Sequence, residues 1–202
     1  MRAELEPLRT ILREAQRLGV LGPEDIETHV AHALDYFTDQ PPPPGARCID
    51  LGSGAGIPGL PLALAYPATR WTLIDGRITR CDRLRDALRQ LGLAGRVDVV
   101  HGRAEELGHG PLRGQAEVVV ARGFGAPPIT AECAAPFVRP GGLLIVSVAR
   151  ETTWPDEVSE LGLRLRKAWQ TERGRFRSYE LVREVESRFP RRPTAQRRKP
   201  LF

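Results

Sequence analysis

The sequence predicts an α/β fold in which a mostly parallel sheet follows two helices and ends in an antiparallel hairpin. From residue 47 to residue 148, short apolar runs alternate with helix-like segments, which is typical of parallel strands joined by helical crossovers. The last two strand-like segments are joined by the polar run ERGRFR, which favours a hairpin over another crossover. At 202 residues, the chain is long enough for one domain that buries most of its own core.

Two helices are predicted ahead of the sheet. Apolar residues recur at three-and-four spacing from Ala3 to Leu18, which predicts a helix with one buried stripe. A second helix is predicted from Pro23 to about Phe37, because proline suits the first turn of a helix. The run PPPPG at residues 41–45 cannot continue a helix or form a central strand. It therefore separates a helical N-terminal appendage, residues 1–40, from a core of residues 41–187.

Seven strands are predicted for the core. Five are expected to be parallel, namely Arg47 to Leu51, Arg70 to Ile74, Val97 to His101, Val118 to Ala121 and Leu143 to Val148. The remaining two, Arg164 to Thr171 and Ser178 to Glu186, alternate in the manner of an antiparallel pair.

Positive charge is concentrated at the C-terminus. Basic residues outnumber acidic ones by 30 to 25, for a formal charge of +5. The segment 188–202, which we treat as a basic C-terminal tail, has six basic residues and no acidic one: Arg188, Arg191, Arg192, Arg197, Arg198 and Lys199. This placement favours a polyanionic partner. The alternative is a disordered end that aids solubility.

Cysteine usage and hydropathy bound the class of protein. Cys48, Cys81 and Cys133 are far apart and have no C-x-x-C spacing, so the sequence predicts buried thiols in a reducing compartment and no metal site. No apolar run approaches the length of a membrane span or of a signal core. We expect a cytoplasmic protein that uses neither a metal nor a membrane.

The segment DLGSGAGIPG, residues 50–59, carries the main chemical signal. Its GAGIPG portion fits the letter pattern of a dinucleotide-binding loop, but glycines after a strand serve several nucleotide cofactors because they admit close approach of a ligand. The absence of a G-K-[ST] ending excludes a P-loop. Asp50, Gly52, Gly54 and Gly56 together form D-x-G-x-G-x-G, the loop seen in S-adenosylmethionine-dependent methyltransferases. The sequence thus predicts the Rossmann-like fold of class I methyltransferases.

Two acidic residues bear on the choice of cofactor. S-adenosylmethionine carries an amino group and a sulfonium, whereas a dinucleotide brings a pyrophosphate that Asp50 would repel, so Asp50 favours the former. Asp75 ends the next strand, WTLID, where a carboxylate can accept both ribose hydroxyls of either ligand. The alternative for both acids is a helix cap or a solvated strand end.

Several longer motifs carry a family resemblance. They are CIDLGSGAGIPGLPLAL, WTLIDGRITRCDRL, HGRAEEL, VVVARGF and the ending YELVREVESRFPRRP followed by RKPL. Together they resemble the ribosomal RNA small-subunit methyltransferase G family, formerly glucose-inhibited division protein B, from about His32 to the C-terminus. HALDY, at residues 32–36, is similar to a family element that precedes the core.

The resemblance implies transfer of a methyl group from S-adenosylmethionine to guanine N7 in 16S rRNA, near the decoding site of the small ribosomal subunit. It implies cofactor contacts from Gly52 and Ile57 in the first loop, and from Ala104 and Glu105 beside the adenine. Arg122 would lie at the edge of the cofactor and face the substrate. Guanine N7 already has a free lone pair, so the reaction needs positioning and no catalytic base.

The basic residues provide candidate RNA contacts. The candidates are Arg103, Arg191, Arg192, Arg197, Arg198 and Lys199. Arg103 and Arg122 could contact RNA phosphate, since an arginine that donated to N7 would block the attacking lone pair. The alternative for both is a structural pair with an aspartate or glutamate.

The chain departs from the family pattern on the substrate side. Residues 1–31 contain no counterpart of a W-N-x-x-x-N-L-T-like segment, and Val148 and Ala149 stand where a lysine and a glycine would be expected, with Arg150 next to them. Two other functions therefore stay open: a methyltransferase with a small-molecule or other RNA acceptor, and a non-catalytic RNA-binding or ribosome-assembly protein. An NAD dehydrogenase is disfavoured by Asp50 and by the terminal hairpin.

Overall fold

The computed structural model describes residues 5–38 and 40–202 and places eight strands in one sheet. The strands are β1 Arg47–Leu51, β2 Arg70–Asp75, β3 Val97–His101, β4 Ala116–Ala121, β5 Val138–Val148, β6 Glu157–Val158, β7 Leu163–Gln170 and β8 Arg175–Leu181. Their order across the sheet is β3-β2-β1-β4-β5-β8-β7-β6. The first five are parallel, and the last three pair antiparallel. The predicted α/β class, a parallel sheet with an antiparallel end, is confirmed.

The strand count differs from the prediction by one. Glu157 and Val158 form the short edge strand β6, which pairs with the start of β7. The chain turns between β6 and β7 at Gly162, whose φ is +69°. Two residues are too few to show any periodicity in a sequence, so this strand could not be predicted.

The second strand of the hairpin is also displaced from its predicted position. It runs from Arg175 to Leu181 instead of from Ser178 to Glu186. The polar run before it looks like a loop, yet Arg175 and Arg177 lie in the strand and donate to the carbonyl oxygens of Ala149 and Trp154. Their guanidinium groups satisfy neighbouring backbone acceptors, which explains why arginines are tolerated there.

Seven α-helices are found among the described residues. They are α1 Glu6–Arg17, α2 Ile26–Leu34, α3 Gly59–Ala65, α4 Ile78–Gln90, α5 Ala104–Leu107, α6 Pro127–Ala134 and α7 Pro193–Arg198. The predicted start of the first helix at Ala3 lies outside the described residues. The second helix starts later than Pro23, because Asp25 caps it by accepting a hydrogen bond from the Glu27 amide at 3.0 Å.

The helices cover both faces of the sheet. Successive residues of a strand point to opposite faces, so Cys48 packs in one apolar cluster and Ile49 in the other. The first cluster includes Leu8 and Leu12 of α1, and the second includes Phe137 after α6. No helix in the described part of the chain is long and apolar enough to cross a membrane.

The residues that follow α2 connect the N-terminal helices to the sheet. The Tyr36 hydroxyl donates to the carbonyl oxygen of Ala121, the last residue of β4, at 2.9 Å. The Asp35 carboxylate accepts hydrogen bonds from Arg173 Nε at 2.9 Å and Nη2 at 2.8 Å, and from Thr171 Oγ1 at 2.7 Å. The appendage therefore contacts both the carboxyl end of β4 and the hairpin turn.

Candidate cofactor and substrate site

The glycine loop lies between β1 and α3 and is held against the end of β2. The amides of Gly52 and Ser53 both donate to the Ile74 carbonyl oxygen at 2.9 Å. Gly52, Gly54 and Gly56 have φ values of +75°, +55° and +90°, which L side chains rarely adopt. The backbone geometry of the loop therefore requires glycine at these positions.

Asp75 connects the loop to the end of β2. Its Oδ2 accepts a hydrogen bond from the Gly54 amide at 2.9 Å, and its Oδ1 accepts one from the Arg77 amide at 2.9 Å. Arg80 Nη1 lies 3.6 Å from Oδ2. The carboxylate is only 4% exposed, yet it borders an open pocket. Its charge is thus fixed in position before any ligand binds.

A pocket of about 400 Å³ opens at the carboxyl ends of the parallel strands. Its walls come from the ends of β1 to β3, from α5, from the segment after β4, from α6 and from α7. The lining residues are Gly52, Ile74, Asp75, Gly76, Gly102, Arg103, Ala104, Glu105, Phe124, Gly125, Ile129, Pro193, Gln196 and Arg197. Small-molecule sites are typically about 300–1,000 Å³. Open α/β sheets bind their ligands at this edge, so the pocket is the candidate cofactor site.

Two glycines leave room for a ligand. A Cβ added at Gly54 would meet only the Gly52 carbonyl oxygen at 3.8 Å, and one at Gly76 would meet only the Gly102 carbonyl oxygen at 3.8 Å. Gly52 differs, because a Cβ there would lie 2.7 Å from Phe124 Cδ2. Both positions therefore present bare backbone beside Asp75; Gly76 lines the candidate cofactor pocket, whereas Gly54 lines a separate cavity against α1 and α4.

The residues predicted to flank the adenine also lie in this pocket. Ala104 and Glu105 begin α5 and line the wall beyond Asp75. Arg103 lies there too, and its Nη2 donates to Glu105 Oε1 at 3.2 Å. Arg103 therefore pairs with a carboxylate at the pocket, which was the alternative to its assignment as an RNA contact.

Asp50 is placed below the loop, away from the pocket walls. Its side chain has no exposed surface, and Oδ2 accepts a hydrogen bond from the Gly59 amide at 3.0 Å. Oδ1 is buried and has no hydrogen-bond partner. Burial raises the pKa of Asp50 to about 7, against the lowering effect of the Gly59 hydrogen bond. The geometry makes Asp50 a residue that holds the loop to α3.

Gly56 and Ile57 are likewise packed into the core. A Cβ at Gly56 would overlap with Leu60 Cδ1, and the Ile57 side chain is only 6% exposed within the apolar cluster under the helices. Neither residue borders the pocket. They shape the loop from below, and the predicted contact between Ile57 and the cofactor remains a prediction.

Arg122 follows β4 and is held by the N-terminal appendage. Its Nη2 donates to His29 Nδ1 at 3.1 Å. Arginine can only donate, so Nδ1 must accept and the ring proton lies on Nε2, which is 3.2 Å from the Gly22 carbonyl oxygen. His29 is 2% exposed. This histidine, which the sequence analysis did not assign, fixes the direction of the Arg122 side chain.

His32 lies next to this pair. Its Nε2 is 3.2 Å from Ser147 Oγ of β5, and its Nδ1 is buried without a partner. Burial is the main cause that lowers the pKa of His32 to about 4, and the nearby charge of Arg122 lowers it further. His32 is therefore neutral at physiological pH. It does not pair with Asp35, which binds Arg173 instead.

A cation lies close to Val148, the position where the family pattern has a lysine. Val148 ends β5 and is paired in register with Arg175 of β8. Arg175 Nη2 donates to the Ala149 carbonyl oxygen at 2.6 Å. A guanidinium group thus lies at this end of the sheet on the neighbouring strand, in addition to the exposed Arg150.

The six candidate RNA contacts lie in different surroundings. Arg191 binds the buried Glu132, and Arg103 and Arg197 line the pocket. The other three, Arg192, Arg198 and Lys199, are exposed on or beside α7. Within residues 5–38 and 40–202, no three histidine, cysteine, aspartate or glutamate side chains are grouped as a metal site would need.

Comparison with known proteins gives the family. The family model described as rRNA small subunit methyltransferase G, also called GidB, matches residues 8–162. This chain belongs to that family. A relative named Ribosomal RNA small subunit methyltransferase G, from Rubrobacter xylanophilus, is 31% identical over 98% of this chain and 82% of its own length. The predicted family is confirmed.

Two further matches of this member of the methyltransferase G family cover a smaller share of the chain. The Ribosomal RNA small subunit methyltransferase G of Mycobacterium leprae is 42% identical over 63% of this chain and 52% of its own length, so the chain spans about half of that relative. A SAM dependent methyltransferase from Aquifex aeolicus has a TM-score of 0.59 at 16% identity, covering 85% of this chain and 98% of that one. This likeness shows the fold, that of class I methyltransferases.

The burial of Asp50 predicts a specific pH dependence of stability. With a folded-state pKa of about 7 and an ordinary unfolded value, the native state binds one more proton between about pH 4 and pH 7. The free energy of unfolding should therefore fall as pH rises through that window, by up to roughly 1.4 kcal/mol per pH unit. Above pH 7 this contribution levels off.

The measurement is urea unfolding of the wild type and of Asp50→Asn at a series of pH values. The asparagine can still accept from the Gly59 amide but does not titrate. The difference in stability between the two proteins should change between pH 4 and pH 7 and be flat above. A difference that is constant across this range would contradict the assignment.

Proposed function

We propose that this chain is a cytoplasmic S-adenosylmethionine-dependent methyltransferase that modifies guanine N7 in 16S rRNA of the small ribosomal subunit. The observation that carries the proposal is the pocket where the glycine loop, Asp75 and the start of α5 meet. Family membership supports the reaction, and the names of the relatives support the RNA.

The residues of the pocket suit an adenosyl ligand. Asp75 presents a carboxylate at the end of β2, where it can accept hydrogen bonds from ribose hydroxyls. Its present bonds to the Gly54 and Arg77 amides keep it oriented. Ala104 and Ile129 give the pocket apolar surface for a flat ring. When bound, S-adenosylmethionine supplies a methyl group on a positively charged sulfur.

The chain's own contribution to the reaction is positioning. Guanine N7 has no proton to lose, so no side chain has to act as a base. Arg122, held by His29, has a fixed direction next to the end of β4 and can orient a phosphate or the edge of the substrate. His32 is neutral and buried, which suits a wall more than a proton carrier.

The exposed cations suit a contact with RNA. Arg192, Arg198 and Lys199 lie next to the pocket on the surface of α7 and its ends. Phosphate contacts from such residues release counterions, so the affinity for RNA should fall with salt. Arg191 is excluded from this set by its bond to Glu132.

The proposal is tested by methyl transfer in solution. The purified protein is incubated with S-adenosylmethionine labelled on the methyl group and with small subunits from cells that lack their own family member. Naked 16S rRNA and large subunits serve as parallel acceptors. The proposal requires label in 16S rRNA above the level given by Asp75→Asn; transfer at background level to both small subunits and naked 16S rRNA contradicts it.

The bond between His29 and Arg122 gives a prediction about turnover. His29→Ala removes the acceptor that directs Arg122, so we expect kcat to fall roughly 10-fold, about 1.4 kcal/mol, while the affinity for S-adenosylmethionine stays within twofold. Steady-state kinetics and calorimetry measure the two quantities. Thr28→Ala, an exposed neighbour on α2, is the matched control, and His29→Gln should recover part of the rate because its side-chain oxygen can accept. Equal loss in the alanine and glutamine variants would argue against this role.

A further inference from the structure

The C-terminal segment is built into the fold. Phe189 is 1% exposed in the apolar cluster behind the sheet. The next residue, Pro190, has its carbonyl oxygen 2.9 Å from His109 Nε2. Gln196 of α7 is 2% exposed, and its Nε2 donates to Cys133 Sγ at 3.4 Å. These contacts fix the course of the chain from residue 189 to residue 196.

A buried ion pair anchors the same segment. Glu132 of α6 is 1% exposed and accepts three hydrogen bonds from Arg191: from the backbone amide at 2.7 Å, from Nε at 2.9 Å and from Nη2 at 2.6 Å. Such a bidentate pair sets both position and angle. It determines where α7, two residues further on, can lie.

The anchored segment forms one wall of the cofactor pocket. Pro193, Gln196 and Arg197 border the same cavity as Asp75 and Glu105. Arg197 Nε donates to the Pro193 carbonyl oxygen at 3.3 Å. Among the described residues, no carboxylate lies within ion-pair distance of Arg197, so the rest of its guanidinium group is available to a ligand.

We propose that Arg197 is a cofactor-binding residue, which contacts the adenine of S-adenosylmethionine from the wall formed by α7. A guanidinium group is planar and stacks on aromatic faces, and the adenine end of the cofactor carries no charge that would repel it. The proposal rests on the proposed cofactor. Arg197, which the sequence analysis assigned to RNA, would then bind the cofactor instead. The C-terminal segment would be part of the cofactor site.

The test is calorimetric binding of S-adenosylhomocysteine, without RNA and without turnover. Arg197→Ala should weaken binding roughly 10-fold. The control is Arg198→Ala, which removes the same side chain from the next position, outside the pocket, and should stay within twofold of the wild type. Arg197→Lys keeps the charge but not the planar group, and should bind nearly as weakly as the alanine variant.

The outcomes separate this inference from the proposed function. If the wild type and Arg197→Ala bind S-adenosylhomocysteine equally well, the role of Arg197 is overturned and the proposed function stands. Full recovery in Arg197→Lys overturns the stacking contact in favour of charge alone. A wild type that binds no S-adenosylhomocysteine overturns both proposals. Circular dichroism and thermal melting of each variant show whether the fold is retained, since the exposed Arg197 side chain should be dispensable for it.

Discussion

Replacement of Asp75 by asparagine is expected to weaken the binding of S-adenosylmethionine by roughly 100-fold. The change keeps the shape of the side chain but removes one charged acceptor, and hydrogen bonds to charged groups contribute about 1.5–3 kcal/mol each. It also weakens the bond to the Gly54 amide that orients the loop. Both effects lower affinity, so the loss should exceed that of a single neutral hydrogen bond.

Calorimetry measures this effect, and Asp98→Asn provides the control. Asp98 lies on the neighbouring strand β3 and is exposed, away from the cofactor pocket. Its replacement should leave the dissociation constant within twofold. An affinity of Asp75→Asn that equals the wild-type value would remove Asp75 from the site and with it the predicted contact to the ribose.

The second large effect concerns stability. Arg191→Met leaves Glu132 buried without its charged partner, and breaking a buried pair in this way costs about 3–5 kcal/mol. For a protein of this size, such a loss corresponds to a decrease in Tm of roughly 6–20 °C. Thermal and urea unfolding measure it.

Two further variants identify the cause of that loss. Arg192→Met changes the exposed neighbour and should alter the free energy of unfolding by less than about 0.5 kcal/mol. In the double variant Arg191→Met with Glu132→Gln, the buried group is neutral and still accepts from the backbone amide, so part of the stability should return. A double variant that is less stable than Arg191→Met alone would contradict the account.

The parts of the fold that the sequence predicted well are those with a local signature. β1 and the glycine loop were predicted because an apolar run, an acid and spaced glycines stand together within residues 47–59. The hairpin was predicted from the alternation of apolar and polar residues, but its second strand begins at Arg175, three residues before the predicted start. The arginines in it find backbone acceptors that only the folded sheet supplies.

The parts that the sequence did not predict depend on distant contacts. Glu132 lies in the segment PPITAECA, and nothing there indicates a pair with an arginine 59 positions later. The same holds for His29, whose partner Arg122 is 93 positions away. Asp50 shows another limit, because an acid at a strand end can face a ligand or lie beneath the loop. In this fold it shares the face of Cys48, which is covered by helices.

Methylation of guanine at N7 is tested most directly by mapping the modified atom. Small subunits treated with the protein and S-adenosylmethionine yield 16S rRNA, which is then exposed to borohydride and aniline, because N7-methylguanine is cleaved under these conditions. We predict one new cleavage site at a guanine, which depends on the protein and is lost with Asp75→Asn. Methyl label without any such cleavage would place the modification on another atom and contradict the account.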